Sequence, residues 1–452
     1  MEVNSRFLIK NAQLINEGRI ITADVLIQNK RIEKIADNIN LSPSTTFQEI
    51  DATGMYLIPG VIDDQVHFRE PGLTHKASIF TESRAALAGG VTSYMEMPNV
   101  MPKTTTNELL EEKYLIGQDS SAVNYSFYLG ATNDNIDELK KIDSENVCGV
   151  KIFMGSSTGD MLVDDSHILH QIFSQVPSLI ATHCECETRV KERLNQAKID
   201  FPNGIPAEYH PIIRDAQACY LSSSFASALA KKYNTRLHIL HITSEIETHL
   251  FDNTLPLDKK RITSEVCVHH LHFSDQDYSQ LSHQIKCNPA VKTQKDQDAL
   301  WNALLDDRLD VIATDHAPHT KEEKLCENYL DAHAGLPLIQ HTLLLMLEKS
   351  KQGKISLEKV VEKMCHAPAI AYKLKERGFI REGYFADLVL VNPNEIHQVT
   401  ENNILYKCQW SPLMNTQFSN SIKHVFVNGI LSYSNGQILE LNPMRLQFEK
   451  DR

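Results

Sequence analysis

The sequence lacks any run of about 18 apolar residues, so no segment reads as a membrane-spanning helix. Basic charge is also in short supply, with 45 Lys and Arg against 58 Asp and Glu and a formal net charge of −13. Such a chain offers no general basic face for nucleic acid, although a small anionic substrate would respond only to the local field of a pocket. Met1, Glu2, Val3 and Asn4 show neither the basic start nor the apolar stretch of a secretory leader. Nine scattered cysteines make no disulfide framework and read as reduced thiols of a cytoplasmic protein. Internal repeats and low-complexity tracts are missing too. What remains, 452 residues of which 42% are hydrophobic and 23% charged, suits a globular protein with one catalytic domain and a smaller companion.

Two textures are present. Near both ends lie short alternating runs, such as Phe7-Leu8-Ile9, Asp24-Val25-Leu26-Ile27 and His424-Val425-Phe426-Val427, punctuated by turn residues such as Asn29, Lys30 and Asn38. These predict small antiparallel strands. Neither flank is large enough for its own core, so 1–57 and 376–452 are expected to fold together into one small β-sandwich-like domain. Within 58–375, strand-like runs at 57–62, 91–97, 125–130, 149–154, 179–182, 237–242, 261–268 and 310–313 alternate with helical stretches such as 78–88, 108–117 and 215–232. Eight strands separated by helices predict an α/β fold, a parallel (β/α)8 barrel of the TIM type. The competing open sheet would want a Gly-x-Gly-x-x-Gly turn after its first strand, and none follows.

In such a barrel, reactive groups emerge from the C-terminal ends of the strands. Those positions carry Asp63-Asp64-Gln65-Val66-His67-Phe68-Arg69, then Asn99, Lys151, His183, His241, Asn288 and Asp315-His316-Ala317-Pro318-His319. Strand alternation puts Gln65, His67 and Arg69 on one face and turns Cys184 and Cys186 away from His183. His238 and His241 differ in parity, so a regular strand turns at most one inward, and His241 lies nearer the strand end. Any one histidine among 20 is more often a satisfied polar group than a ligand. Imidazoles and carboxylates at successive strand ends instead suit a borderline divalent cation such as zinc. Lys151 sits in the apolar run Val150-Lys151-Ile152-Phe153, where an unmodified buried ammonium is costly.

The runs Pro59-Gly60-Val61-Ile62-Asp63-Asp64-Gln65-Val66-His67-Phe68-Arg69-Glu70-Pro71-Gly72 and Ala313-Thr314-Asp315-His316-Ala317-Pro318-His319 resemble the signatures of the dihydroorotase family of cyclic amidohydrolases. Met97-Pro98-Asn99, Glu265-Val266-Cys267-Val268-His269-His270-Leu271 and Asn288-Pro289 extend the resemblance over most of the chain. It implies a zinc-dependent hydrolase of pyrimidine biosynthesis that closes N-carbamoyl-L-aspartate to L-dihydroorotate reversibly. By the same resemblance His67, Lys151, His183, His241 and Asp315 are metal ligands, with Lys151 carboxylated to a carbamate that bridges two ions. Asp315 is also the catalytic acid and base. Arg69, Asn99 and His319 hold the substrate carboxylate, Asn288 lies near the ring, and Gly335 offers backbone contact.

Two departures stand out. Gln65 occupies a position where the family has histidine; its amide is a weak ligand or none, which predicts one tight zinc site and a second, weaker one. The stretch Gly335-Leu336-Pro337-Leu338-Ile339-Gln340 lacks the family's second glycine. Two other readings share most of these residues: a hydantoinase- or allantoinase-type enzyme, and a catalytically silent homologue that partners aspartate transcarbamoylase. A homo-oligomer is compatible with all three.

Overall fold

Strands buried on both faces read as unbroken apolar runs rather than alternating ones, and the central runs of this chain form such strands. A computed structural model describes residues 6–42, 46–155 and 161–450, and the reading made of residues 1–4 lies outside the described residues. The barrel strands are Val61–Val66, Val91–Glu96, Asn124–Phe127 continued by Leu129–Gly130, Val150–Phe153, Ile180–His183, Leu237–Ile239, Ile262–Cys267 and Val311–Ala313. Neighbours pair in parallel throughout. The ring closes where Val66 bridges His316 and the His67 amide donates to the His316 carbonyl at 2.7 Å. Ile62, Met95, Tyr128, Ala181, Leu240 and Val311 fill the interior, and the helix Ala367–Tyr372 packs against this cluster.

The helices begin and stop for local reasons. Ser78 caps Ile79–Ala88, Thr106 caps Asn107–Ser120 and Asp215 caps Ala216–Tyr233, each accepting a bond from a first-turn amide. Asn234 ends the last of these in the left-handed conformation, at φ 55°. No helix among the described residues is long and apolar enough to cross a membrane.

Both chain ends build a second, nine-stranded sheet, in which Leu388–Asn392 pairs antiparallel with Tyr56–Pro59. Not all its pairs are antiparallel: Gln48–Asp51 and Tyr56–Pro59 both run parallel to Arg6–Asn16. Leu57, Leu388 and Phe426 form the sheet's own core, while their neighbours Ile58, Val389 and Val425 join the barrel's outer core. Phe7 and Phe426, on strands three places apart, meet with ring centroids 5.1 Å apart, so the sheet curls over itself. The run 57–62 therefore merges two strands: Tyr56–Pro59 belongs to this sheet, and the barrel starts at Val61.

The seam between the first and last barrel strands is locked by the buried Asp63. Its carboxyl accepts from the Thr314 hydroxyl at 2.6 Å, the Thr314 amide at 3.2 Å and the Gln65 amide at 3.3 Å. Burial pushes this carboxyl up to about 7. Replacing Thr314 with Val removes the shortest of these bonds and leaves a buried acceptor unmet, at a cost of about 1–3 kcal/mol. Thermal unfolding of Thr314→Val should show a clearly lower midpoint; an unchanged midpoint would show that the seam does not depend on this pair.

Candidate active site

A bulge shapes the first barrel strand. Asp63 faces Tyr94 and Val66 faces Glu96, so three residue steps oppose two. The extra residue lets Asp64 and Gln65 both turn inward, Asp64 to the barrel interior and Gln65 to its mouth. At that mouth opens a narrow cleft. Gln65, His67, Arg69, Asn99, Lys151, His183, His241, Asn288, Asp315 and Gly335 all line it, together with Phe153, Ala317 and Ala334. Of the residues singled out in the sequence, His319 alone stands back from the wall. Its Nε2 lies 3.1 Å from an Arg69 guanidinium nitrogen and its Nδ1 3.1 Å from Lys76 Nζ. His319 thus braces Arg69 from behind.

The donor atoms converge in a way that suits a cation. His183 Nδ1 and His241 Nε2 are 3.0 Å apart, while His183 Nε2 faces Glu185 Oε2 at 3.2 Å. Burial opposes the charge on Glu185, but Arg214 and His183 hold its carboxyl down to about 2. An ionised Glu185 keeps the ring proton of His183 on Nε2 and turns the Nδ1 lone pair toward His241. Burial lowers the pKa of both histidines, the neutral state a ligand needs. Two ring nitrogens bound tetrahedrally to zinc at about 2.0–2.1 Å would stand roughly 3.3 Å apart, close to the observed spacing.

Lys151 completes this set. It is 1% exposed, and its Nζ makes no hydrogen bond among the described residues. Burial pushes its amine down to about 7, against the opposing pull of Glu265 and Asp315. A neutral amine is a nucleophile toward carbon dioxide, so the residue fits a carbamate as an ammonium would not. On the opposite wall, His67 Nδ1 lies 2.8 Å from Asn99 Oδ1 and His67 Nε2 lies 3.1 Å from Asp315 Oδ1. One neutral imidazole proton cannot serve two acceptors, and a cation on the Nε2 side would resolve the conflict. Gln65 points its amide nitrogen at Asp315 Oδ1, 3.1 Å away, and so acts as a hydrogen-bond donor to that carboxylate.

Three of these residues hold backbone conformations that side chains rarely adopt: Arg69 at φ 69°, His241 at 40° and Asp315 at 45°. The turn at His241 corrects the parity argument made for its strand. Regular structure stops at Ile239, so His238 and His241 both reach the interior, one layer apart. His238 Nε2 lies 3.2 Å from Asp64 and 3.4 Å from Glu265, all wholly buried. Burial opposes the charge on His238, but those carboxylates outweigh it and hold it up at about 9. Glu265 also accepts from the His241 amide at 3.0 Å, anchoring the strained turn. Sequence reasoning assigned no role to Glu185, His238 or Glu265. Glu185, two residues beyond His183, carried the one usable signal.

A model of the amidohydrolase family matches residues 223–431. The dihydroorotase of Lactobacillus acidophilus is 30% identical over 436 residues, covering 95% of this chain and 99% of its own. The allantoinase of Deinococcus radiodurans is 28% identical over 442 residues, covering 95% and 96%. Among solved structures, an L-hydantoinase from Arthrobacter aurescens superposes with a TM-score of 0.90 at 24% identity, covering 96% of this chain and 97% of that one. That last likeness speaks for the shared barrel architecture.

Glu185→Gln keeps the shape of the side chain but removes the charge that orients His183. Partners of this kind are typically worth about 10–100-fold in metal affinity. Zinc titration of the variant should show the tightest site weakened by that order with the fold intact; unaltered affinity would leave Glu185 as a structural partner of Arg214 alone.

Proposed function

The chain belongs to the amidohydrolase family, and we propose that within it the protein is a dihydroorotase, interconverting N-carbamoyl-L-aspartate and L-dihydroorotate. The observation that carries this reading is Arg69. Its guanidinium is 2% exposed and contacts the Pro318 carbonyl and His319, yet among the described residues no carboxylate ion-pairs with it. A buried cation facing a cleft without a counter-ion calls for an anionic ligand, and a guanidinium suits a carboxylate bidentately. Lys76, with its Nζ beside His319, is itself paired with Glu323 at 3.0 Å, so the unpaired charge is that of Arg69. An allantoinase draws on nearly equal identity, but the uncharged ring of its substrate would leave Arg69 unpaired. The silent-partner reading draws on Gln65, and the otherwise intact donor set speaks against it.

In this mechanism His183, His241 and a carboxylated Lys151 would hold one zinc ion, and Lys151, His67 and Asp315 would hold a second. With Gln65 offering a donor instead of a ligand, the second site is the weaker. Bound there, zinc would supply Lewis acidity toward the ring amide carbonyl and the attacking water near neutral pH. Arg69 and Asn99 fix the substrate carboxylate, so the scissile amide is presented in one orientation. Asn288 and the backbone at Gly335 line the cleft beside the ring. Asp315 takes a proton from water and returns it to the leaving ring nitrogen, acting as base and then acid. Gln65 steadies that carboxylate through its hydrogen bond.

Purified protein should hydrolyse dihydroorotate, lose that activity to a chelator and regain it with zinc, while hydantoin and allantoin are poor substrates. Arg69→Lys keeps the charge but not the fork, and should lower kcat/KM by about 10-fold or more. Turnover of hydantoin or allantoin in preference would move the protein to that branch of the family. No turnover at all by folded, zinc-loaded protein would favour the silent partner. Zinc titration should further resolve one tight and one weaker site, and two equally tight sites would contradict the role given to Gln65. Labelled bicarbonate should give a carbamate resonance that is lost in Lys151→Ala.

A further inference from the structure

Beside this cleft a second group of donors remains unused. Cys267 ends the seventh barrel strand, and the chain turns at once into the helix Val268–His272, which carries His269 and His270. The Cys267 sulfur and one ring nitrogen from each histidine all lie within 4.8 Å of one another. The three residues are 0%, 1% and 3% exposed. Neither ring nitrogen of His269 completes a hydrogen bond among the described residues. His270 uses Nε2 on the Pro289 carbonyl at 3.1 Å and leaves Nδ1 free. The thiol has only long contacts, 3.8 Å to Gln65 Oε1 and 3.7 Å to Glu265 Oε1. Buried polar atoms are normally satisfied, so three unmet nitrogens beside one sulfur ask for an explanation.

We propose that Cys267, His269 and His270 form a binding site for a soft or borderline divalent cation such as zinc or cobalt. One thiolate and two imidazoles are a donor set such ions accept, and three protein donors leave a fourth tetrahedral position open. Modest closure is enough, because sulfur and nitrogen ligands on one such ion stand roughly 3.6 Å apart. Binding exchanges the thiol proton for the ion: the sulfur–hydrogen bond breaks, a sulfur–metal bond forms, and the proton leaves to solvent. The site shares no donor with the one proposed for catalysis. It adjoins that site through Gln65, whose carbonyl end turns toward Cys267 while its amide nitrogen turns to Asp315.

Cobalt(II) alone, titrated under reducing conditions into chelator-stripped protein, separates the two sites. A thiolate-to-cobalt charge-transfer band should appear in the unaltered protein and persist in Lys151→Ala, which lacks the bridging group of the neighbouring site. Cys267→Ser should abolish the band, and His269→Gln should weaken the affinity behind it by about 10-fold or more. No band, or a band that survives in Cys267→Ser, overturns the proposal. If Cys267→Ser does not fold, as judged by circular dichroism, His269→Gln decides alone: unaltered cobalt affinity overturns the site. Dihydroorotate turnover is measured separately, so failure of the catalytic reading leaves the band, and failure of this site leaves the turnover.

Discussion

Two cations buried at one end of a barrel, neither ion-paired with a carboxylate among the described residues, set the terms for the rest of this structure. Lys151 and Arg69 are both almost wholly enclosed, and burial pushes the amine of the first down to about 7 and the guanidinium of the second down to about 10. An isolated buried charge costs several kcal/mol, so each must find a partner or lose its charge. Lysine can do the latter, becoming a neutral nucleophile; arginine cannot, and stays a fixed charge in need of an anion. The same burial thus leads to two chemistries on one wall. Neither would be tolerated on a loose scaffold, since water entering the mouth would relieve both.

Rigidity comes from the barrel, and its cost shows in the backbone. Arg69, His241 and Asp315 each sit in the left-handed region, where non-glycine residues carry about 1–3 kcal/mol of strain. Bonds from the neighbouring strands over-determine them. The Glu265 carboxylate holds the His241 amide, and the His316 carbonyl holds the His67 amide across the seam two residues before Arg69. Strand alternation alone would send some of these side chains elsewhere. The strained turns bring them to one cleft.

Much of this was legible in the residues. The eight barrel strands stand out because they are covered on both faces, and burial on both faces leaves unbroken apolar runs. For the same reason the run 57–62 concealed a boundary: Leu57, Ile58 and Pro59 are as buried as the strand starting at Val61, and nothing in hydrophobicity marks the passage from one sheet to the other. Motif spacing brought ten of the eleven singled-out residues to the cleft wall, since strand ends in a closed barrel have nowhere else to converge. His319 stands one layer behind that wall, because a loop after the last strand follows no alternation rule. The contacts of Glu185 with Arg214 and of His238 with Asp64 join residues far apart in sequence, and pairings of that kind follow from three-dimensional closure rather than from any local pattern.

Gln65 shows how one substitution redistributes work within such a site. A histidine there would offer a lone pair to a cation; the glutamine nitrogen instead donates to Asp315 Oδ1. A donated hydrogen bond draws electron density from that oxygen and makes it a poorer ligand. On the catalytic reading proposed above, the change weakens the cation shared by His67 and Asp315 but keeps Asp315 ionised and oriented for proton transfer. The set of His183, His241 and Lys151 is untouched by it, because Glu185 and the His241 turn hold that set from the other side of the barrel. Loss of a ligand at Gln65 is therefore compatible with retained chemistry, provided the amide polarisation rests on the tighter site.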